Sequence, residues 1–538
     1  MKIGYFTMEI GLNESIPTYS GGLGVLAGDY AKSAADTDLP LVVVTLLYKR
    51  GYFVQEINSE GWQEEVYPIF DPRPFMEPLP LTVKIEIEGR KVAVGAWKYN
   101  CQGIRGKVPV YFLDTDLPMN SDEDRQITYY LYGGDHRMRI AQEAVLGIGG
   151  YEILKRLGEK ITTYHMNEGH AAFLTLALYR DMNYDREKVK DLCIFTTHTP
   201  EPAGHDKFDY DLAQQMIGSY LPDDIRELAG EDLLNTTLLA LNMSRASNGV
   251  SELHGKVSRQ MFPGYDIGHI TNGVHHITWT GPEFSKLYDQ FLPHWRRHPQ
   301  VLGAAFELPD DAVREAKLEA KRRLISFVNA VSNAGFSDEF LTIGFARRAA
   351  AYKRATLLFT DMEFLLNLSK DRVQYVFAGK AHPKDIPGKE LIKTIIEISR
   401  KYEGRLRLVF IKNYNMWLAA LMTQGVDIWL NNPRRPREAC GTSGMKVTFN
   451  GGINMSVLDG WWREACKDRV NGWAIGDDEE ISDEEAAADF YKVLEDVVST
   501  YYAKPSKWMK MMKASIADCA PIFNSQRMVN EYFHKFYK

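Results

Sequence analysis

The chain has 538 residues, 45% of them hydrophobic and 25% charged, the balance of an ordinary soluble globular protein of roughly two to four domains. Its formal charge of -7 leaves no basic excess to neutralise a nucleic-acid backbone, although a local cationic pocket stays open. The N-terminal MKIGYFTMEIG has no signal-peptide apolar region, and no apolar run approaches membrane-spanning length, which argues against a membrane partner.

Residues 2–8 (KIGYFTM) read as a short buried strand. A polar stretch and a glycine turn lead into SGGLGVLAGDYAKSAADTD, a Gly-rich loop opening a helix with Ala27, Ala31 and Ala34 or Ala35 on one face. After Pro40, LVVVTLLYKRG is nearly all apolar, as in a parallel strand covered on both faces. Residues 81–97 alternate strictly around Glu88-Gly89 and predict a hairpin. Further strands are predicted at 108–113, 161–167 and 191–199, with helices at 136–157 and 171–181. From 280 to 312 the chain turns irregular, with Pro282, Pro293, Pro299 and Pro309, and reads as a domain connection. Pro309-Asp310-Asp311 then starts a charged amphipathic helix running to about Val331. A second series of strands is predicted at 341–346, 373–379, 406–411 and 426–431. The tail 508–538 reads as helical, broken near Pro521 and Asn524.

The fold class is α/β with two doubly wound, Rossmann-like domains. The first spans 1–295 and carries the hairpin, the second spans 296–505, and residues 506–538 are C-terminal helices. In open α/β sheets ligands bind beyond the carboxyl ends of strands. The cysteines Cys101, Cys193, Cys440, Cys466 and Cys519 are odd in number, irregularly spaced and without CxxC, which predicts a reducing, cytoplasmic setting.

Lys446 stands in a segment that otherwise reads as buried. Gly441, Thr442, Ser443 and Gly444 precede it, and Val447, Phe449, Ile453 and Met455 follow. Small residues ahead of a helix leave N–H groups for an anion. A lysine desolvated there suits a Schiff base with an aldehyde, and an aldehyde that also carries a phosphate is pyridoxal phosphate. By itself GTSGMK reads more simply as a glycine-rich turn with a solvated lysine. Arg347, Arg348 and Lys353 in GFARRAAAYKRA follow a strand, where cations can hold a phosphate or form a solvated charge run. Ser20-Gly21-Gly22-Leu23-Gly24 is an anion-loop candidate or a tight turn, His198 a structural histidine or a ligand contact, and Asn272-Gly273 an ordinary turn signal. Asn167-Glu168-Gly169-His170 lacks the HExxH spacing, so no metal site is read there.

The run EACGTSGMK, followed by NGGINMSVLDGWW and NGWAIGD, resembles the cofactor-lysine region of the α-glucan phosphorylases, the glycogen, starch and maltodextrin phosphorylase family, in its short microbial form. YSGGLGVLAGD, the basic pair ahead of Tyr-Lys-Arg, THTP and ITNGV extend the resemblance over residues 1–535. It implies the GT-B glycosyltransferase architecture, two Rossmann-like domains facing a cleft, with C-terminal helices crossing back to the first. It implies that Lys446 carries pyridoxal 5'-phosphate, with Gly441, Thr442, Ser443 and Tyr414 around it. Arg348 and Lys353 would then bind phosphate, Arg347 standing where many relatives have lysine. His198 would contact the glucosyl unit at the cleavage point. Gly21, Gly22, Leu23, Asn272, Tyr352, Glu438 and Gly441 would line substrate.

The implied reaction is reversible, retaining phosphorolysis of terminal α-1,4-glucosyl units to α-D-glucose 1-phosphate, the cofactor phosphate relaying a proton. The partners are an α-1,4-glucan and inorganic phosphate, and a homodimer is common in the family. His275 and His276 replace a proline and a basic residue common in relatives. The first family-like strand begins at Lys2, so activity without AMP is expected. Two alternatives remain. A nucleotide-sugar-dependent glycogen or starch synthase-like glucosyltransferase would share the fold but has no use for Lys446. A non-catalytic glucan-binding protein would need neither Lys446 nor the cations.

Overall fold

The apolar run after Pro40 is a strand, Leu41–Leu46, buried at every position. It lies near the middle of a nine-stranded sheet in the computed structural model, which describes residues 1–479 and 481–538. Across that sheet the strands are Ile267–His269, Ala246–Gly249, Cys193–Thr196, Thr163–Asn167, Ile3–Thr7, Leu41–Leu46, Lys107–Asp114, Arg90–Gln102 and Glu77–Ile87. All are parallel up to Lys107–Asp114, and the predicted hairpin adds the two antiparallel strands at the edge. Glu88 and Gly89 both take left-handed backbone angles (φ 51° and 71°), the turn that matches the twist of a hairpin. The chain starts in mid-sheet and lays later strands to either side of Ile3–Thr7. The loops after Thr7, Asn167 and Thr196 therefore emerge together at the carboxyl ends, where the strand order reverses.

The chain forms two compact units. The first comprises Met1–Phe53, Tyr67–Thr271 and Met528–Lys538, and the second Val54–Val66 and Asn272–Arg527. The first contains the nine-stranded sheet. Its Met528–Lys538 segment buries Met528, Val529, Tyr532 and Tyr537 against Tyr5, Tyr30 and Val43. The Tyr537 hydroxyl meets the Tyr30 hydroxyl (2.5 Å) and His165 Nδ1 (2.6 Å).

The second unit holds a six-stranded, wholly parallel sheet in the order Arg407–Ile411, Val373–Ala378, Leu341–Ala346, Ile428–Asn431, Ile453–Val457 and Gly472–Ile475. Counted along the chain this is 3-2-1-4-5-6, the doubly wound dinucleotide-fold order, with its reversal between Leu341–Ala346 and Ile428–Asn431. The Asp310–Val331 helix buries Val313, Ala316, Lys317, Ala320, Leu324 and Val328, one helical face. Asp310 and Asp311 in its first turn oppose the helix dipole. Lys317 on the buried face donates to the carbonyls of Gln424 (3.2 Å) and Asn450 (3.4 Å).

Several expectations are corrected. Residues 280–312 are not irregular. Pro282–Phe291 is an α-helix with its proline in the first turn, where no N–H is required, and Pro299–Glu307 is a 3-10 helix. Pro282–Phe291 packs on Asp310–Val331, and Pro299–Glu307 packs on Pro505–Cys519. These contacts end the first unit at Thr271 rather than at 295. They also keep Pro505–Cys519 in the second unit, so only residues 528–538 of the tail belong to the first. The hairpin arm formed by Val54–Ile57 and Gln63–Val66 was not anticipated, nor were the strands Ala246–Gly249, Ile267–His269, Ile453–Val457 and Gly472–Ile475. Among the described residues no helix is long and apolar enough to cross a membrane.

Candidate functional site

In the second unit the strand-order reversal brings two loops together. Arg347 and Lys353 follow Leu341–Ala346, and Glu438 follows Ile428–Asn431. Lys353 Nζ lies 3.0 and 2.7 Å from the two carboxylate oxygens of Glu438, and Arg347 Nη2 donates to the same carboxylate. All three side chains are buried. Burial alone would raise the Glu438 pKa, but the charges of Arg347 and Lys353 outweigh it and hold it at about 2. Arg354 ties the same loops, donating to the carbonyls of Asn432 (2.9 Å) and Pro433 (3.0 Å). The Tyr352 carbonyl accepts the Arg434 N–H (2.7 Å), and Lys353 Nζ lies 4.6 Å from the centre of the Tyr352 ring.

Beneath Glu438 is Asp459, wholly buried. Its Oδ2 accepts the Glu438 N–H (2.9 Å) and its Oδ1 the Gly460 N–H (2.8 Å). Burial pushes this carboxyl up to about 7, against the pull of the Glu438 N–H. A Cβ at Gly460 would stand 2.3 Å from the Cys440 carbonyl oxygen, so only glycine lets this turn clasp the Glu438 loop.

Lys446 lies on the short helix Ser443–Thr448 and is buried, its Nζ 3.6 Å from the centre of the Trp279 ring. Asn450 fixes that pairing. Its Nδ2 donates to the carbonyls of Lys446 (3.0 Å) and Trp279 (2.9 Å), and its Oδ1 accepts the Gly281 N–H (2.6 Å). Trp429 Nε1 donates to Ser443 Oγ (3.2 Å), and Thr442 caps the helix without a side-chain bond. Tyr414 is half-buried against the core of this sheet. Among the buried polar atoms without a hydrogen-bond partner are Arg347 Nη1, Asn272 Oδ1, Asn431 Oδ1 and Asn432 Oδ1. Buried polar groups are costly unless bonded, so each of these atoms is a candidate contact for a polar ligand.

In the first unit, buried Glu9 accepts the N–H groups of Ser20 (2.5 Å) and Gly21 (3.3 Å) and the Tyr132 hydroxyl (2.9 Å). It thereby fixes the glycine turn that opens the Gly22–Thr37 helix. A Cβ at Gly21 or Gly22 would meet nothing within 4 Å, so the outer face of the turn is open, and Leu23 is half-buried beside it. His198 Nε2 meets Asn167 Oδ1 at 2.6 Å. The His198 N–H donates to Glu168 Oε2 (2.6 Å), and so does Thr199 Oγ1 (3.0 Å). Burial pushes the His198 pKa down to about 4, which leaves the ring neutral near pH 7. No group of described residues could hold a metal ion.

Residues 222–468, which include Arg347, Glu438 and Lys446, match the family model described as carbohydrate phosphorylase. The chain is 41% identical to maltodextrin phosphorylase of Thermococcus litoralis over 99% of its own length and 70% of that protein's. It is 37% identical to glycogen phosphorylase of Mycobacterium tuberculosis, over 99% and 70%. It is 34% identical to glycogen phosphorylase of Aquifex aeolicus, over 99% and 85%. The chain belongs to the carbohydrate phosphorylase family.

Within the family-matched region the three cations differ in burial and partners. Arg347, which stands where many relatives have lysine, is the buried partner of Glu438, whereas Arg348 is exposed. Glu438, expected to line substrate, pairs its carboxylate with two cations. His275 and His276 are held within the protein: His275 Nδ1 meets Thr278 Oγ1 (2.7 Å) and His276 Nε2 meets the Arg296 carbonyl (2.8 Å). Trp279 and Asp459 were not singled out, although Asp459 lies in the quoted NGGINMSVLDGWW and Trp279 stands five residues after ITNGV. A tryptophan ending a turn motif and an Asp-Gly after a strand were the available signals.

Proposed function

We propose that the chain is an α-glucan phosphorylase. It takes a terminal α-1,4-glucosyl unit of maltodextrin, glycogen or starch and, with inorganic phosphate, gives α-D-glucose 1-phosphate reversibly and with retained configuration. The relatives' names support the substrate class. The observation that carries the reading is Lys446, a buried lysine over Trp279 on a helix opened by small residues.

These surroundings fit pyridoxal 5'-phosphate. Lys446 would hold its aldehyde carbon, and Gly441, Thr442, Ser443 and Tyr414 would surround it, with the orphaned oxygens of Asn431 and Asn432 as further polar contacts. When bound, the cofactor supplies a phosphate monoester whose second pKa near 6 lets it hold or release a proton.

The chain's own residues do the rest. Arg347 and Lys353 form a cationic pair that an incoming phosphate can share with Glu438, and Arg347 Nη1 already lacks a partner. Arg348 offers a third charge from the exposed side of the same segment. In this protein interior a fixed cation stabilises developing negative charge far more than in water. Neutral His198, oriented by Asn167, hydrogen-bonds a glucosyl hydroxyl. Its Nε2–H donates to Asn167 Oδ1, which leaves Nδ1 to accept. Asn272, its Oδ1 orphaned, offers an acceptor to another hydroxyl. Gly21 and Gly22 let substrate approach the backbone. The five cysteines are free, which fits a reducing cytoplasm.

The deciding experiment measures glucose 1-phosphate release from maltodextrin plus phosphate, with and without added pyridoxal phosphate. Cofactor-dependent release supports the reading. Absence of product, or glucosyl transfer only from a nucleotide sugar, overturns it.

A further inference from the structure

The Val54–Val66 arm carries two glutamines, Gln55 and Gln63, that are 0% and 1% exposed. Inward-facing strand positions are ordinarily apolar. Gln55 Nε2 donates to the Gly379 carbonyl (2.8 Å) and to Gln63 Oε1 (2.8 Å). Gln55 Oε1 accepts the Asn413 N–H (2.7 Å), and the Gln55 N–H donates to Asn413 Oδ1 (3.2 Å). Gln63 Oε1 also accepts the Ala381 N–H (2.9 Å), while its Nε2 donates to the Ala381 carbonyl (3.0 Å) and to Glu65 Oε1 (2.7 Å). Each amide thus uses both its donors and its oxygen. A buried amide is costly unless paired in this way, and a fully paired one fixes geometry that an apolar side chain would leave free.

The groups held are backbone atoms of two loops at the carboxyl ends of strands. Residues 379–381 follow Val373–Ala378, and Asn413 follows Arg407–Ile411. The first loop lies against the basic segment. The Arg347 N–H donates to the Ala378 carbonyl (3.2 Å) and the Ala349 N–H to the Lys380 carbonyl (2.9 Å). A Cβ at Gly379 would stand 2.1 Å from the Arg347 carbonyl oxygen. Ala349 and Ala381 share a small apolar cluster with Ile392 and Ile396, and Ile57 of the arm packs on it. Asn413 immediately precedes Tyr414.

We propose that Gln55 and Gln63 are positioning residues. Through residues 379–381 they set the Arg347–Lys353 segment that handles phosphate, and through Asn413 they set Tyr414. The functional half of this proposal rests on the phosphorolysis reading above. A side chain that only filled space beneath the arm would need no hydrogen-bonding directions. Here every one of them is spent on the two loops or on the arm's own Gln63 and Glu65.

The test replaces each residue in the holoenzyme with leucine, of similar volume but without hydrogen bonds. Initial rates are measured with phosphate varied at saturating maltodextrin and with maltodextrin varied at saturating phosphate. Hydrogen–deuterium exchange is followed over 347–353 and 413–416. Gln55→Leu and Gln63→Leu are expected to raise KM for phosphate by about tenfold or more, because small misplacements of a positioning group are costly. KM for maltodextrin should stay within about twofold of wild type, and exchange should quicken in both segments. Gln63→Glu keeps the acceptor for the Ala381 N–H and loses the donors, so an intermediate effect is expected. This variant decides the matter if a leucine variant does not fold. Unchanged phosphate KM, with faster exchange confined to residues 54–66, would overturn the proposal whatever happens to the melting temperature. A wild-type protein that makes no glucose 1-phosphate would instead overturn the reaction. The exchange measurement needs no turnover, so it still tests the positioning.

Discussion

Lys353 reaches both carboxylate oxygens of Glu438, at 3.0 and 2.7 Å, across 85 residues of sequence. With Arg347 it forms a buried cluster of two cations and one anion. Glu438→Gln should therefore leave uncompensated buried charge, and breaking such a pair costs about 3–5 kcal/mol. Phosphate should restore part of the loss, so its addition should raise the melting temperature more in the variant than in wild type. Equal shifts would show that phosphate does not share these cations.

The same residue sets an acid limit. The folded Glu438 pKa, about 2, lies below the unfolded value of about 4.3. Its contribution is thus fully present above pH 4.3 and is lost as pH falls towards 2. Unfolding free energy measured by denaturant titration should drop over that window in wild type, and the drop should be smaller in Glu438→Gln.

Asp459 has the opposite sign. Its folded pKa, about 7, is above the unfolded value of about 3.9. The folded state keeps a proton that the unfolded state has released, so stability falls by about 1.4 kcal/mol per pH unit between those values and is level above pH 7. Asp459→Asn should remove this slope. Parallel stability curves for the two proteins from pH 4 to 8 would refute the assignment.

Lys446→Met should give a folded protein that no longer retains pyridoxal phosphate. Borohydride reduction and peptide mapping of wild type should find the pyridoxyl group on Lys446, and a label on any other lysine would contradict the site. Near-ultraviolet circular dichroism of the variant should also change, because Lys446 Nζ lies against Trp279.

His198 acts here as a neutral hydrogen-bonding group, its pKa held near 4 by burial. His198→Ala should lower kcat/KM for maltodextrin by about three- to tenfold or more, the usual value of a neutral hydrogen bond. The pH–rate profile between 5.5 and 8 should keep its shape. A limb near pH 6.5 that vanishes in the variant would make His198 a proton carrier instead.

Much of the second sheet is legible in sequence because its strands are buried on both faces, so Leu341–Ala346 and Val373–Ala378 show as apolar runs interrupted only by Thr342 and Gln374. The arm is not legible for the converse reason: its inward residues, Gln55 and Gln63, are polar, so alternation carries no hydrophobic signal. Prolines made 280–312 look like a linker, yet Pro282 starts a helix at a position that tolerates it. The candidate site residues come from the family resemblance that the motifs carry together, not from any one motif by itself. Their division of labour does not, since choosing Arg347 over Arg348 as the partner of Glu438 depends on which side chain turns inward after the strand, and neither composition nor spacing reports that.

The two units are interleaved in the chain, and this bears on synthesis. The first unit's core needs Tyr532 and Tyr537, while the Val54–Val66 arm, made early, finds its partners only at 379–413. A nascent chain released from the ribosome as far as Thr271 would have its first sheet short of those tyrosines and a hairpin with no surface to receive it. Folding cannot then run strictly from the N-terminus in domain-sized steps, as multidomain chains commonly do. Neither unit can close until the later part of the chain is made, and a simple cut at Thr271 would yield two fragments that each lack a piece held by the other.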